Sequence, residues 1–229
     1  MSKPSSRRRM VLTLSGIAVV ALAAGGVLLA TVVPGFGDPT DNGATSDSSA
    51  IAQAVPYEPF TWGEPDAPVE ILEFSSYTCS HCGNFHADTF PALKERYLDT
   101  GKARLTLIDF PLDNVAGAVS LITHCAPRDA GKKLSEIFYT DQSAWMTRTP
   151  AESISGIARL GGMTQEDIDA CLNNEPLYQA IIDGRSLADE RYDIKGTPTF
   201  VINGQKHEGG YGIDEMSAAI EAALGEAGE

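Results

Sequence analysis

Residues 69–82 read VEILEFSSYTCSHC. The stretch begins with a compact apolar run of the kind that forms a buried strand. It ends in Cys79 and Cys82, and residues 85–94 then follow a helical pattern in which Pro91 is expected to introduce a kink. The sequence therefore predicts a strand that leads into a Cys-x-x-Cys motif at the start of a helix.

The chain on either side of this motif predicts a small mixed sheet with a helical insertion. Residues 104–110 form a second strand-like run, and the order strand–helix–strand favours a parallel pair joined by a right-handed crossover. Several helical patterns occupy about 114–193. The sheet resumes at 199–202, and Asn203-Gly204 predicts a hairpin turn before a last helix. We therefore expect an α/β fold in which helices interrupt the sheet.

The N-terminal part of the chain predicts export. Residues 10–33 contain no Asp, Glu, Lys or Arg, and as a helix they would span about 36 Å, enough to cross a hydrocarbon core of about 30 Å. Arginines at positions 7–9 precede this run, so the positive-inside rule leaves residues 1–9 in the cytoplasm. We interpret the run as a single-pass anchor of the inner membrane that holds the catalytic domain in the periplasm. The alternative is a cleaved signal peptide that leaves a soluble periplasmic protein.

The remainder of the chain divides into a linker and one domain. Residues 34–56 are rich in Gly, Asp, Ser, Thr and Ala, and we interpret them as a flexible linker. Residues 57–229 are long enough to bury one full core. The formal net charge is −14, and the first acidic residue is Asp38. Because an acidic surface repels phosphate backbones, we expect no nucleic-acid partner.

The position of the motif predicts redox chemistry. A helix start offers unpaired N–H groups and a partial positive charge, which stabilise a thiolate at Cys79 and lower its pKa. A stabilised thiolate favours the reduced pair, so the disulfide becomes a stronger oxidant. A protonated His81 would add a positive charge or a hydrogen bond to Cys79, whereas Ser80 offers only a hydroxyl. We expect Cys82 to lie one turn deeper and to be less exposed.

Two other uses of the Cys-x-x-Cys motif remain open. It could supply half of a zinc site, but no second Cys-x-x-Cys is present to complete a tetrahedral set. It could also form a purely structural disulfide, although a bridge that closes so small a loop stabilises a fold little. We therefore expect no metal and no cofactor.

Three stretches together resemble the DsbA-like branch of the thioredoxin superfamily, including its membrane-anchored members. They are residues 69–82, residues 109–113 (DFPLD) and residues 196–200 (GTPTF). The resemblance covers about residues 57–225. It implies a thioredoxin-like α/β fold with a helical domain inserted between the second strand and the strand that follows a cis-proline.

The resemblance also implies roles for residues outside the motif. Thr197-Pro198 is expected to be a cis peptide that faces the cysteines and holds a substrate strand beside Cys79; the alternative is a proline that starts an edge strand. Glu73, six residues before Cys79, matches a buried acid that tunes Cys82 or relays protons for it. The alternative is a strand residue that faces solvent.

The other two cysteines lie in the helical insertion. We expect Cys125 and Cys171 to form a structural disulfide, which in an oxidising compartment would add about 3–4 kcal/mol. The alternative is two buried free thiols. The sequence favours a surface or capped position for His86, His124 and His207 rather than a role as ligands.

The resemblance implies an enzyme, a protein thiol–disulfide oxidoreductase that donates the Cys79–Cys82 disulfide to unfolded or reduced exported proteins. It also implies a DsbB-like, quinone-linked membrane partner that restores the disulfide. Ser80 stands where the best-known version of the motif has proline, so the strength of oxidation stays open. Two alternatives remain: a disulfide reductase or isomerase, and a metal-binding or metallochaperone ectodomain that uses the same cysteines.

Overall fold

The computed structural model describes residues 47–227. The predicted cytoplasmic segment 1–9 and the predicted anchor or signal 10–33 lie outside these residues. The helices are α1 (Asp47–Ala54), α2 (Ser80–Asn84), α3 (Phe90–Leu93), α4 (Asn114–Cys125), α5 (Arg128–Thr140), α6 (Gln142–Trp145), α7 (Pro150–Leu160), α8 (Gln165–Leu172), α9 (Glu175–Tyr192) and α10 (Ile213–Ala227). The strands are β1 (Phe60–Trp62), β2 (Val69–Ser75), β3 (Ala103–Asp109), β4 (Thr199–Ile202) and β5 (Gln205–Lys206).

The strands of the described region form one mixed sheet in the order β1-β3-β2-β4-β5. β2 and β3 run parallel, with Val69 opposite Ala103 and Ser75 opposite Asp109. The other neighbouring strands are antiparallel. The predicted parallel pair and the predicted hairpin are therefore confirmed, and β2 lies at the centre of the sheet.

Both faces of β2 are covered, and all seven of its residues are buried. Ile71 packs into the larger core cluster, and Leu72 and Phe74 pack into the smaller cluster on the opposite face. Because side chains alternate along a strand, Glu73 points to the same side as Ile71. A carboxylate is thereby placed on the side of the larger core, to which Cys82 also belongs.

The helical segment after the motif departs from regular α-helical geometry. Two π-helical turns, Phe85–Thr89 and Lys94–Leu98, lie on either side of α3. Pro91 lies in the first turn of α3, directly after the first π-helical turn. The predicted helix over 85–94 is present, but it is irregular because widened π-helical turns precede and follow α3.

Helices α4 to α9 form the insertion between β3 and β4. Asp113 caps the start of α4 with its carboxylate, and Thr164 with Asp167 forms a capping box at the start of α8. A disulfide joins Cys125, at the end of α4, to Cys171 on α8. Two side-chain caps and one disulfide therefore stabilise the helices of the insertion.

The structure corrects one expectation about the N-terminal side of the domain and adds one strand there. Part of the predicted linker 34–56 forms α1, and Ile51 and Val55 of this region are buried in the smaller core cluster. These residues form a single apolar pair four positions apart, which is too weak a pattern to predict a helix. β1 was not predicted because three residues are too few to show alternation. No helix within residues 47–227 is both long and apolar enough to cross a bilayer.

Candidate active site

The two cysteines of the motif lie at the junction of β2 and α2. The Ser76 carbonyl accepts a hydrogen bond from the Cys79 N–H at 3.0 Å, which closes the turn after β2. Cys79 then takes the N-cap position of α2 with an extended backbone, and its carbonyl accepts from the N–H of Gly83 at 3.1 Å. A side chain at an N-cap faces the unpaired N–H groups of the first turn. The Cys79 sulfur therefore lies where a helix best stabilises negative charge.

The half-buried Cys79 thiol has a pKa lowered to about 5. The largest cause is a hydrogen bond with the Cys82 side chain; the Thr197 side chain and the backbone N–H groups of Cys82 and His81 also lower the pKa, whereas burial opposes them. The Thr197 carbonyl oxygen lies 3.1 Å from Sγ and accepts from the thiol. That contact favours the protonated form, so the low pKa depends on the other donors.

The second cysteine has the opposite environment. Cys82 is buried, and burial is the largest of the effects that raise its pKa. The hydrogen bond with Cys79 and the negative charge of Glu73 raise the pKa further. One sulfur of the pair is therefore accessible and held ionised, while the other is enclosed and held protonated.

The His81 side chain makes its hydrogen bond to a residue outside the motif. Its Nδ1 lies 2.8 Å from the hydroxyl of Tyr211, and it is the backbone N–H of His81 that helps to lower the pKa of Cys79. Ser80, the other residue between the cysteines, is exposed. Tyr211 lies 130 residues from His81 in the chain, so no local pattern in the sequence indicated the contact.

The turn before β4 closes the other side of the site. The Thr197–Pro198 peptide bond is cis. In the pairing of β2 with β4, Phe74 lies opposite Thr199, which brings this turn beside the end of β2 and against Cys79. The backbone carbonyl of Thr197 is the group that contacts the sulfur.

Glu73 is buried, and its partner is His86, for which the sequence favours a surface or capped position. His86 Nε2 lies 3.0 Å from Glu73 Oε1, and the side chains are 1% and 0% exposed. The His86 ring stacks on Tyr139 with ring centroids 4.1 Å apart. His124 is also enclosed and pairs with Asp109 at 2.7 Å. His86 and His124 are therefore buried and paired with carboxylates, and of the two positions predicted for them the surface one is wrong.

One residue of the helical insertion reaches the motif and was not predicted. Gln142 Nε2 donates hydrogen bonds to the Tyr77 carbonyl at 2.7 Å and to the Cys79 carbonyl at 2.9 Å. A side chain at Gly83 would not fit beside this amide, since a Cβ there would lie 2.5 Å from Gln142 Oε1. Gln142 therefore ties the insertion to the backbone that leads into α2.

The arrangement defines a class of protein. Within residues 47–227, no group of three or more His, Cys, Asp or Glu side chains is placed to hold a metal ion. A Cys-x-x-Cys pair at a helix start, facing a cis-proline turn across a mixed sheet, is the site of a thiol-redox protein. The family profile described as Thioredoxin matches residues 56–222, and the chain belongs to this family, in its DsbA-like branch.

Comparison with known proteins supports the same class. The crystal structure of Wolbachia pipientis alpha-DsbA1 is 27% identical, with a TM-score of 0.69, and the match covers 78% of this chain and 97% of that chain. The protein-disulfide isomerase from Novosphingobium aromaticivorans is 27% identical, with a TM-score of 0.64, and the match covers 72% and 97%. The predicted thioredoxin-like fold with a helical insertion is therefore confirmed.

A curated relative gives the extent of the match in sequence. A provisionally named protein-disulfide oxidoreductase from Rickettsia bellii is 29% identical over 166 residues, which are 72% of this chain and 64% of that protein. A second such protein, from Rickettsia conorii, is 30% identical, with 72% and 60% covered. The match thus spans less than two thirds of the length of these relatives.

Proposed function

We propose that this chain is a protein thiol–disulfide oxidase that donates the Cys79–Cys82 disulfide to reduced exported proteins. The observation that carries the proposal is the contrast between the two sulfurs: the pKa of Cys79 is lowered to about 5, while burial raises that of Cys82. A stabilised Cys79 thiolate favours the reduced pair over the disulfide, which makes the oxidised protein a stronger oxidant.

The reaction begins when a substrate thiolate attacks the Cys79 sulfur of the oxidised pair. Cys79 is the sulfur attacked because Cys82 is enclosed. A bond forms between substrate and Cys79, the Cys79–Cys82 bond breaks, and Cys82 leaves as a thiolate that takes up a proton. A second substrate thiolate then attacks the substrate sulfur of this mixed disulfide and releases the Cys79 thiolate. The substrate loses two electrons to the pair, and the low pKa of Cys79 makes it a good leaving group.

An extended substrate segment is expected to lie along the cis-proline turn. The Thr197 carbonyl lies 3.1 Å from the Cys79 sulfur, and neither the Cys79 thiolate nor the Cys79–Cys82 disulfide has a proton to donate to it. The carbonyl is therefore available to accept a backbone N–H of the substrate. Pairing through backbone groups recognises an extended chain with little dependence on its sequence, as an enzyme that oxidises many unfolded proteins requires.

The proposed location is the periplasmic side of the inner membrane, with residues 10–33 as the anchor and a DsbB-like, quinone-linked membrane protein as the reoxidant. Support comes from the uncharged run that follows three arginines, and from the Cys125–Cys171 disulfide, which suits an oxidising compartment. Carbonate extraction of membranes from cells that express the full chain tests the anchor. Release into the soluble fraction of a protein that has lost its N-terminal residues would instead favour a cleaved signal.

The reduction potential of the Cys79–Cys82 pair decides the direction of the reaction. Equilibration with glutathione buffers should give a value nearer that of DsbA, about −120 mV, than that of thioredoxin, about −270 mV. A potential at or below the thioredoxin value would favour a reductase.

Trapping of intermediates tests the chemistry itself. Cys82→Ala, with Cys79 first converted to its mixed disulfide with thionitrobenzoate, should accumulate mixed disulfides between Cys79 and reduced proteins. The substrate thiolate displaces thionitrobenzoate from Cys79, and Cys82 is no longer present to attack the new bond. The double variant Cys79→Ala/Cys82→Ala is the matched control and should trap nothing. Failure of the single variant to capture any thiol protein, together with failure of the unmodified protein to oxidise a dithiol peptide, would end the proposal.

A further inference from the structure

The His81 imidazole is held by a residue on the far side of the active site. His81 Nδ1 and the Tyr211 hydroxyl are 2.8 Å apart, and the two rings meet edge to face with centroids 6.2 Å apart. Whichever atom carries the proton, Nδ1 is engaged and the orientation of the ring is set by Tyr211. The backbone N–H of His81 is among the groups that lower the pKa of Cys79.

Tyr211 has a fixed position, whereas the His81 side chain is exposed. The Tyr211 ring packs against the larger core cluster, with its centroid 6.4 Å from that of Phe85. The adjoining Gly212 passes so close to Glu215 that a Cβ there would lie 2.6 Å from the carboxylate. Tyr211 is therefore held against the core beside Phe85, and the exposed His81 side chain is the partner that is free to turn when the contact is lost.

Without Tyr211, the His81 side chain has a second favourable partner. His81 lies on the first turn of α2, two residues after Cys79, and its backbone N–H already acts on the sulfur. Rotation about the side-chain bonds would bring an imidazole N–H towards Sγ. A hydrogen bond to a thiolate is charge-assisted and stronger than a bond between two neutral groups. It would stabilise the thiolate and hence the reduced pair.

We propose that Tyr211 is a positioning residue that keeps His81 away from Cys79 and thereby limits the oxidising power of the pair. The inference rests on the proposed function for its biological meaning. The effect of Tyr211 on the Cys79 sulfur is the same whether the cysteine pair oxidises or reduces its substrates. It is therefore measured separately from the proposed function.

The sign of the effect separates this role from a direct one. Tyr211 also lies near the sulfurs, since burial and then the charges of Cys79 and Cys82 raise the pKa of Tyr211. If the phenol itself stabilised the Cys79 thiolate, its removal would weaken the oxidant. Removal of a group that restrains His81 has the opposite result.

A double-mutant cycle on the full chain tests the inference. The variants are Tyr211→Phe, His81→Ala and the two combined, with Tyr178→Phe on α9 as a matched loss of a phenol hydroxyl in the insertion. Ultraviolet titration gives the Cys79 thiolate midpoint, and glutathione equilibria give the redox constant. Tyr211→Phe should lower the midpoint and make the pair a stronger oxidant by at least about threefold in equilibrium constant, or about 14 mV. It should change neither quantity when His81 is alanine.

Three results would overturn the inference: no change with Tyr211→Phe, a rise in the Cys79 midpoint, or an equal shift whether or not His81 is present. A shift of the same size with Tyr178→Phe would also overturn it. Different results would contradict the proposed function, namely the absence of trapped substrates together with the absence of peptide oxidation by the unmodified protein. Each hypothesis is therefore open to failure while the other stands.

Discussion

Glu73 Oε1 lies 3.0 Å from His86 Nε2, and both side chains are buried. Glu73 Oε2 and His86 Nδ1 have no other hydrogen-bond partner within the described part of the chain. The pair therefore stands as an isolated acid and base in the core, and a proton can lie on either partner while the bond between them is kept. The charge of Glu73 acts on Cys82, which connects this pair to the enclosed sulfur.

Glu73→Gln should slow the step in which Cys82 gives up its proton and resolves a mixed disulfide. The expected loss is on the order of 100-fold, the usual contribution of a proton acceptor. Removal of the Glu73 charge also lowers the pKa of Cys82, but burial, the larger cause of its high value, remains. The rate of glutathione release from Cys79 as a function of pH is the measurement. A rate equal to that of the unmodified protein throughout would exclude a relay through Glu73.

His86→Ala should destabilise the fold because it leaves the Glu73 carboxylate buried without a partner. Removal of one member of a buried pair costs about 3–5 kcal/mol, and urea unfolding measures the difference. His207→Ala is a matched control, since His207 bonds to the Gly210 carbonyl near the surface and should change stability by no more than about 0.5 kcal/mol. Addition of Glu73→Gln should restore part of the loss, and a His86→Ala variant as stable as the control would contradict this account.

The low pKa of Cys79 predicts how pH affects the stability of the reduced protein. The thiol titrates near 5 in the folded state and near its ordinary value of about 8.5 in the unfolded chain. Its contribution to stability is therefore fully present above the unfolded value and is lost as pH falls towards 5. The stability of the reduced protein should rise across this window relative to that of Cys79→Ser. Parallel curves for the two proteins would show that the thiol is not perturbed.

The Cys125–Cys171 disulfide should contribute to stability without affecting redox chemistry. It closes a separation of 46 residues between α4 and α8, which corresponds to about 3–4 kcal/mol in the chain-entropy description. Cys125→Ala/Cys171→Ala should lose roughly this amount in urea unfolding under oxidising conditions. The potential of the Cys79–Cys82 pair should stay unchanged. A shifted potential would mean that the insertion transmits the loss to the active site.

Features encoded by neighbouring residues were predictable from the sequence. The apolar run of β2, the cysteines at the start of α2 and the turn at Asn203-Gly204 depend on local propensity and spacing; both turn residues have the positive φ that such a hairpin needs. Contacts between distant residues were not predictable, because spacing along the chain carries no information about them. Tyr211 lies 130 residues from His81 in the chain and restrains it. The local pattern around the motif therefore suggested only that His81 acts on Cys79.

The burial of His86 was only partly predictable from the sequence. The residue lies four positions after Cys82, on the same side of a helix, and directly after the buried Phe85. This spacing was the available signal that His86 faces the core. A polar residue is more often found at the surface, and only the position of Glu73 on the neighbouring strand supplies the partner that permits its burial.

Gln142 and Gly83 lie against each other beside the Cys-x-x-Cys motif. The Gln142 amide donates to the Tyr77 and Cys79 carbonyls and lies against Gly83 without room for a Cβ. Gln142→Ala should therefore cost about 1–2 kcal/mol of stability and weaken the oxidant, because the first turn of α2 is less firmly held against Cys79. Gly83→Ala should have the same effects, since its methyl group displaces the same amide.

The two changes should not add when combined, because each removes the same pair of hydrogen bonds. Urea unfolding and glutathione equilibria of the two single variants and the double variant measure this coupling. Gln179→Ala is a matched control, as its amide bonds only to the exposed Asp183 side chain on the same helix. Additive losses would mean that Gly83 serves a packing role of its own and that Gln142 does not hold the motif.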